Sequence, residues 1–291
     1  MSSTIIARFK EFYQQKDYLW ALIWGAGILM IWGWDLLYLN EPARRQIEEG
    51  FFNTFIIAFM VIVFSALLSW GVTLALYFLE DKIKNIPYSG LNFILNLIRS
   101  VPQIIGILLG YLLITYLMAT GSLSDTFSTI ILTAFVISLF VFLELVDLMR
   151  ERIAYFKKSD FFNAMRVCGI PEPRIINRDI LWKNSWVHLF NKMISIFGIT
   201  VFLLCSIDFI VSVGLTTDVS TVNFPVTLGS LLAKIDSKQD ILAIGNTIGN
   251  IGYISNIFFK HLQGITIAFV IVFSLLSIYK ISNGFARRYH L

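Results

Sequence analysis

Six long apolar stretches constrain this sequence more than any other feature. A helix needs about 20 apolar residues to cross a bilayer core of about 30 Å. The six stretches cover residues 18–39, 51–79, 101–119, 126–148, 188–214 and 264–283. Hydrophobic residues make up 57% of the chain and charged residues only 14%, a balance that suits a surface in contact with lipid. The sequence therefore predicts an all-α membrane protein with six transmembrane helices.

Lysine and arginine are distributed unequally between the two sides that six spans would create. One side carries sixteen of them: the N-terminal tail 1–17, the loop after span two, the loop 149–187 and the C-terminal region ending in tail 284–291. The opposite side carries five. Because basic residues are retained in the cytosol, we expect a multi-pass protein with both termini cytosolic. The basic charge is explained by the membrane, so no nucleic-acid partner is expected.

Two segments outside the spans have their own patterns. Residues 91–98 are half apolar, and they are expected either to lie along the membrane interface or to form the first turns of the third span. The predicted extracytosolic loop 215–263 is large enough to hold helices, and its Gly/Asn-rich stretch 244–252 is consistent with a flexible loop.

The cytosolic loop 149–187 has the pattern of a helix, a turn and a second helix. Ser159 or Asp160 is suited to cap the first helix, and Gly169 stands where a left-handed residue is wanted at its end. Pro171 prevents the first helix from continuing, and Pro173 is an early residue of the second.

Both helices of this loop have predicted apolar faces. In the first, the i, i+4, i+7 spacing places on one face Phe161, Met165 and Cys168, next to Phe162. In the second, a stripe opposite Arg174 and Arg178 is formed by Ile175, Ile176, Ile180 and Leu181. A short helix held against the membrane by such a stripe can act as a lever that another protein grips.

The loop resembles the EAA loop of binding-protein-dependent ABC permeases. That pattern has an acidic residue, two small residues, a glycine and an Ile-x-Leu-Pro-like end, and the alignment runs from Asn163 through Gly169 to Trp182. Residues 174–181 are most similar to peptide-type permeases. This chain departs from the pattern where Asn163 replaces the family's glutamate, Met165 its second alanine and Trp182 its proline.

Two further stretches carry the same resemblance. Residues 91–102, which end in Arg-Ser-Val-Pro, are similar to the entry of a core helix in amino-acid-type permeases. Residues 206–215 and 227–233 are similar to the region beyond span five in peptide-type permeases. Together the matches cover residues 50–283.

The resemblance implies a type I ABC permease fold of the cell inner membrane. In it, span 18–39 precedes a permease core domain, 51–283, that imports peptides or similar small solutes. The sequence contains no G-x-x-x-x-G-K-[ST] motif, so the chain itself is not expected to be an enzyme. ATP and Mg²⁺ would be bound by separate ABC ATPase subunits. The other implied partners are a second permease subunit, homologous or identical, an extracytosolic substrate-binding protein and the lipid bilayer; no cofactor or metal is expected in this chain.

The candidate site residues fall into two groups. The expected ATPase-docking loop comprises Ser159, Asp160, Asn163, Ala164, Arg166, Gly169, Ile170, Pro171, Arg174 and Arg178. The candidates for a pathway or gate are Asp208, Arg99 and Pro102. Asp208 lies deep in span five, where an acid is costly and a functional or hydrogen-bonded role is expected.

Other acids near the spans have plainer interpretations. Asp35 and Asp147 are expected at the interface, the latter within reach of Arg150 at i+3. Two other functions stay open. One is a non-transporting membrane scaffold with a permease-derived fold; the other is an ion-coupled carrier that would use its deep acids.

Overall fold

The computed structural model describes residues 15–80, 86–214, 224–259 and 262–289. Within these ranges the regular elements are all helices, and no strand occurs. The α-helices are α1 (Lys16–Tyr38), α2 (Glu41–Glu80), α3 (Ile86–Ser100), α4 (Gln103–Ala119), α5 (Thr126–Val141), α6 (Leu143–Lys157), α7 (Asp160–Val167), α8 (Glu172–Arg174), α9 (Trp186–Gly214), α10 (Leu228–Leu232), α11 (Ile235–Gly249), α12 (Ile254–Phe259) and α13 (Leu262–Arg288). A π-helix, Ile175–Asn184, follows α8, and a short 3₁₀ helix, Ile251–Tyr253, precedes α12.

Four of the described helices are long and apolar enough to cross a membrane by themselves, namely α1, α2, α9 and α13. Two bent pairs pass the same test together: α3 with α4, bent by 97°, and α5 with α6, bent by 45°. If each pair is one span, the number of spans is six. The prediction of an all-α, multi-pass membrane protein is confirmed at this level.

Helix α2 is the longest element of the bundle. Its 40 residues correspond to about 60 Å of helix, twice the thickness of a bilayer core. It begins ten residues before the predicted span 51–79 and ends one residue after it. The helix therefore extends beyond the hydrocarbon or crosses it at a tilt.

Helix α3 is a separate element from the span that follows it. It stands at 97° to α4, with the break at Val101 and Pro102. One face packs against α6 and the end of α2 through Tyr88, Leu91, Leu95 and Ile98. Residues 91–98 therefore do not form the first turns of α4, and the interfacial alternative is the one that this geometry permits.

Helix α1 packs along α13, and polar contacts join the two helices along their length. Asp17 pairs with Arg288 at 2.8 Å near one end, and Trp24 Nε1 donates to Ser274 Oγ at 2.9 Å near the middle. Toward the other end, Thr266 Oγ1 donates to Asp35 Oδ1 at 3.0 Å. Asp35 is buried, and its carboxylate is satisfied by a hydroxyl partner on the neighbouring helix. Its predicted place at the membrane interface stays a prediction.

The loop 215–263 contains the helices that its length led us to expect, in the part that is described. The Gly/Asn-rich stretch 244–252 is helical, in α11 and the 3₁₀ helix, except at Asn250, so the prediction of a flexible loop there is wrong. Thr247 Oγ1 donates to the Ala243 carbonyl within α11.

Candidate functional site

The turn between the two helices of loop 149–187 has the geometry of a Schellman motif. Gly169 has φ of +76°, its N–H donates to the Arg166 carbonyl at 2.9 Å, and the Ile170 N–H donates to the Met165 carbonyl at 3.2 Å. Met165 and Ile170 both pack against the main core, which supplies the apolar contact typical of this motif. The predicted left-handed glycine is confirmed.

The second helix of the loop is wider than predicted. Residues Ile175–Asn184 form a π-helix, in which each N–H bonds five residues back. The predicted stripe repeats at that interval, since Ile175 is followed by Ile180 and Ile176 by Leu181, and all four are fully buried. Asn184 Nδ2 donates to the Asp179 carbonyl, five residues back, at 2.7 Å. The five-residue spacing between buried apolar side chains was the feature of the sequence that indicated a π-helix here.

The first helix of the loop, α7, buries a different face from the predicted one. Phe162 is buried and Met165 partly buried, whereas Phe161 and Cys168 are exposed. Phe162 and Met165 are three residues apart, so they form one narrow stripe that packs onto the core beside Ile153 and Ile175. The predicted Phe161–Met165–Cys168 face is therefore wrong except at Met165.

Two hydrogen bonds attach the loop to α2. Tyr77 OH donates to Glu172 Oε1 at 2.8 Å, and Trp70 Nε1 donates to Asn177 Oδ1 at 2.8 Å. Lys157 lies over the Tyr77 ring, with its Nζ 4.7 Å from the centroid. The loop is thus held to the C-terminal half of α2 at both α8 and the π-helix.

The ten predicted docking residues lie together along α7, the glycine turn, α8 and the π-helix. Ser159 is the backbone N-cap of α7, but its hydroxyl donates back to the Phe156 carbonyl. Most of the set is exposed, including Asp160, Asn163, Ala164, Arg166, Gly169, Pro171, Arg174 and Arg178. Beside them Val167 is 89% exposed. The loop therefore presents a basic surface with an apolar tip, supported from behind by a buried stripe.

A second site surrounds Asp208 in α9. Tyr111 OH donates to Asp208 Oδ1 at 2.8 Å, and the Thr227 hydroxyl donates to Asp208 Oδ2. All three side chains are buried. They line a cavity of about 40 Å³ together with Thr133 and Ser230. A deep carboxylate with two hydroxyl partners beside a small cavity either joins the helices by hydrogen bonds or holds a proton, water or small cation.

Thr227 reaches Asp208 because the chain after α9 returns into the bundle. Thr227 and Ser230 form a capping box that starts α10. The Leu228 N–H donates to Thr54 Oγ1 at 3.0 Å, and Asn53 Nδ2 donates to the Val226 carbonyl at 2.8 Å, so α2 holds the same segment. Part of the predicted extracytosolic loop is therefore buried against α9 and α2.

Replacing Gly229 with alanine is expected to destabilise this region by about 1–3 kcal/mol. A Cβ there would lie 2.6 Å from the Cys205 carbonyl oxygen and 3.0 Å from Asp208 Cβ, so α10 must move away from α9. Gly245→Ala is the control, because this helical glycine has open space around its Cβ position. Thermal unfolding in detergent would show a lower midpoint for Gly229→Ala only. Equal midpoints for the two variants would contradict the close packing.

The other predicted pathway residues lie elsewhere. Arg99 pairs with Asp147 between α3 and α6, on an exposed surface, so Asp147 uses Arg99 rather than Arg150. Pro102 lines an open cavity of about 800 Å³ with Gln103 and Glu144. Arg99 and Asp208 thus make separate contacts and do not form one site.

Several residues of these sites were not predicted from the sequence. Tyr111, Thr54 and Thr133 at the Asp208 cluster, and Trp70 and Tyr77 at the loop, are ordinary residues of apolar helices. Tyr111 and Tyr77 each place a hydroxyl group inside an otherwise apolar run of residues. This was the feature of the sequence by which they could have been identified as site residues. Their partners are 95 or more residues away in the chain, so no local pattern identifies them.

Neither the protein-family models nor the curated proteins give a match to this sequence. The resemblance to ABC permeases therefore stays a prediction that rests on the residues quoted for it.

Proposed function

We propose that this chain is the permease subunit of an ATP-driven importer of peptides or similar small solutes, with a type I fold in a cell inner membrane and both termini cytosolic. The observation that carries the proposal is the exposed, basic helix–turn–helix around Gly169, held by a fully buried stripe and by two hydrogen bonds to α2. A loop built in this way is suited to bind a partner on its exposed side and to transmit the partner's movement to the helix bundle on its buried side.

Helix α2 is the element that would transmit the movement. Trp70 and Tyr77, toward the C-terminal end of α2, form hydrogen bonds with the loop. Asn53 and Thr54, in the N-terminal half of α2, form hydrogen bonds with the segment that reaches Asp208. The 24 residues between Asn53 and Tyr77 span about 36 Å of one helix. A displacement of the loop by an ATPase would therefore reach the Asp208 cluster through a single rigid element.

The partners follow from this assignment. ATP and Mg²⁺ would be bound and ATP hydrolysed by separate subunits that contact Arg166, Arg174 and Arg178. A second permease, homologous or identical, would complete the pathway, and a substrate-binding protein would deliver the solute from the opposite side.

Cys168 provides a direct test, since it is exposed next to Gly169, whereas Cys205 is buried. A maleimide photocrosslinker attached to Cys168 in native membranes is expected to capture a nucleotide-binding subunit, identified by mass spectrometry. The matched control is Cys168→Ser with Ser122→Cys, which moves the thiol to the exposed turn between α4 and α5. That variant should capture no ATPase.

If Cys168 captures no nucleotide-binding subunit in an intact complex, the result would contradict the importer assignment and favour the non-transporting scaffold. The Asp208 cluster specifically favours a second candidate, an ion-coupled carrier. Solute flux in proteoliposomes that follows a proton gradient without ATP would select the carrier.

A further inference from the structure

A basic pocket lies between the first turns of α1 and the last turns of α13. It has a volume of about 370 Å³, and three cations from the two helices line it: Lys16, Lys280 and Arg287. On α1 the lining positions are 16, 19, 20 and 23, which share one helix face. The pocket is therefore a feature of the helix pair rather than of a loose tail.

The positive charge of this pocket is not neutralised by the residues that the structure describes. Arg288, next in sequence to Arg287, pairs with Asp17 at 2.8 Å, but Lys16, Lys280 and Arg287 form no ion pair in the described part of the chain. Gly284 permits the close approach that fixes this arrangement, since a Cβ there would lie 2.5 Å from the Asp17 backbone nitrogen. Three cations around one cavity favour an anionic ligand.

The rest of the lining is amphiphilic. Lys280 Nζ lies 5.9 Å from the Trp20 ring centroid, and Leu19 and Ile23 form an apolar wall. A charged pocket with an apolar wall, at the end of two helices of spanning length, matches a molecule with an anionic head and acyl chains.

We propose that this pocket binds the phosphate headgroup of an anionic phospholipid, with an acyl chain along the wall formed by Leu19 and Ile23. Basic pockets between transmembrane helices bind such headgroups because the membrane surface supplies them at high concentration. A free phosphate ion would not use the apolar wall. The site is independent of the proposed transport function, and it would make the packing of α1 on α13 depend on lipid composition.

The test is native mass spectrometry of the full chain in detergent, titrated with palmitoyl-oleoyl phosphatidylglycerol and with the matching phosphatidylcholine. Wild type is expected to bind the anionic lipid in preference. Lys280→Gln with Arg287→Gln should weaken phosphatidylglycerol binding about 30-fold, because each basic residue contributes about fivefold. Lys157→Gln with Lys158→Gln removes the same charge outside the pocket and should leave binding unchanged.

Two further measurements test whether positive charge is the cause of binding and whether the ligand is a lipid or a free anion. The charge-conserving variant Lys280→Arg with Arg287→Lys should retain binding, and equal loss in it would overturn the proposal because charge would not be the cause. Inorganic phosphate at the lipid concentration should not displace the lipid, and displacement would reassign the pocket to a free anion. Equal binding of both lipids by wild type, or equal loss in the Lys157/Lys158 variant, would also overturn the proposal.

Discussion

Replacing Gly169 with proline is expected to remove the nucleotide-binding subunit that the proposed function requires from the purified complex, while the helix bundle stays folded. Proline fixes φ near −65°, whereas Gly169 has φ of +76°, so the turn cannot form. The substitution also removes the N–H that bonds the Arg166 carbonyl. Purification in mild detergent followed by mass spectrometry would measure the loss, which should be nearly complete.

Gly121→Pro is a closely matched control for this experiment. Gly121 also has a positive φ, +73°, its N–H donates to the Met118 carbonyl at 3.0 Å, and it has open space around it. It lies in the turn between α4 and α5, on the predicted opposite side of the membrane. We expect the ATPase to be retained with Gly121→Pro. Retention with Gly169→Pro would contradict the docking role, and loss with both would show a general effect of breaking a turn.

Replacing Asp208 with leucine is expected to lower the free energy of unfolding by about 2–4 kcal/mol. The hydroxyls of Tyr111 and Thr227 would lose their shared acceptor inside the bundle, and a buried donor without a partner is costly. The return of α10 into the bundle would be weakened with them. Denaturation in mixed micelles, followed by tryptophan fluorescence, would measure the change.

Asp208→Asn separates a structural role from a proton-carrying one. The carboxamide retains one acceptor oxygen and nearly the same volume, so stability should fall by less than with leucine. If Asp208 only joins the helices by hydrogen bonds, the proposed ATP-driven transport persists in Asp208→Asn. If Asp208 carries a proton, transport is lost while the protein stays folded. Asp147→Leu, at an exposed ion pair with Arg99, should change stability little, because exposed pairs are weak.

Helix α2 contacts both sites, and α9, which follows the π-helix of the loop and carries Asp208, is a second connection between them. The loop end of α2 carries Trp70 and Tyr77, and its other half carries Asn53 and Thr54. A continuous helix without proline after its first turn is stiff over this length, which suits the transfer of a push. In contrast to the continuous α2, the helices α5 and α6 meet at a bend of 45°.

The glycine turn of loop 149–187 could be predicted because its determinants are local. Gly169, followed by two prolines within four residues, leaves the backbone few conformations, and the structure has the expected one. The buried stripe of the following helix was also predicted correctly. The π-helical form was not, because the five-residue repeat resembles an ordinary apolar stripe until packing selects the wider helix.

The sequence by itself determined the class of the protein. Apolar stretches of spanning length cannot pair their backbone groups with water in a bilayer, so a helical membrane bundle follows from composition and length. The position of the exposed basic loop follows from charge and from one glycine. These features need only residues that are close together in the chain.

The tertiary structure alone decided which side chains meet. Asp208 contacts Tyr111 and Thr227, Asp147 contacts Arg99, and Asp35 contacts Thr266, each outside its own helix. The right angle of α3 and the return of α10 were likewise set by packing. The physical reason is that a polar group inside a bundle takes whichever partner the packed helices bring near, and sequence spacing does not record that approach.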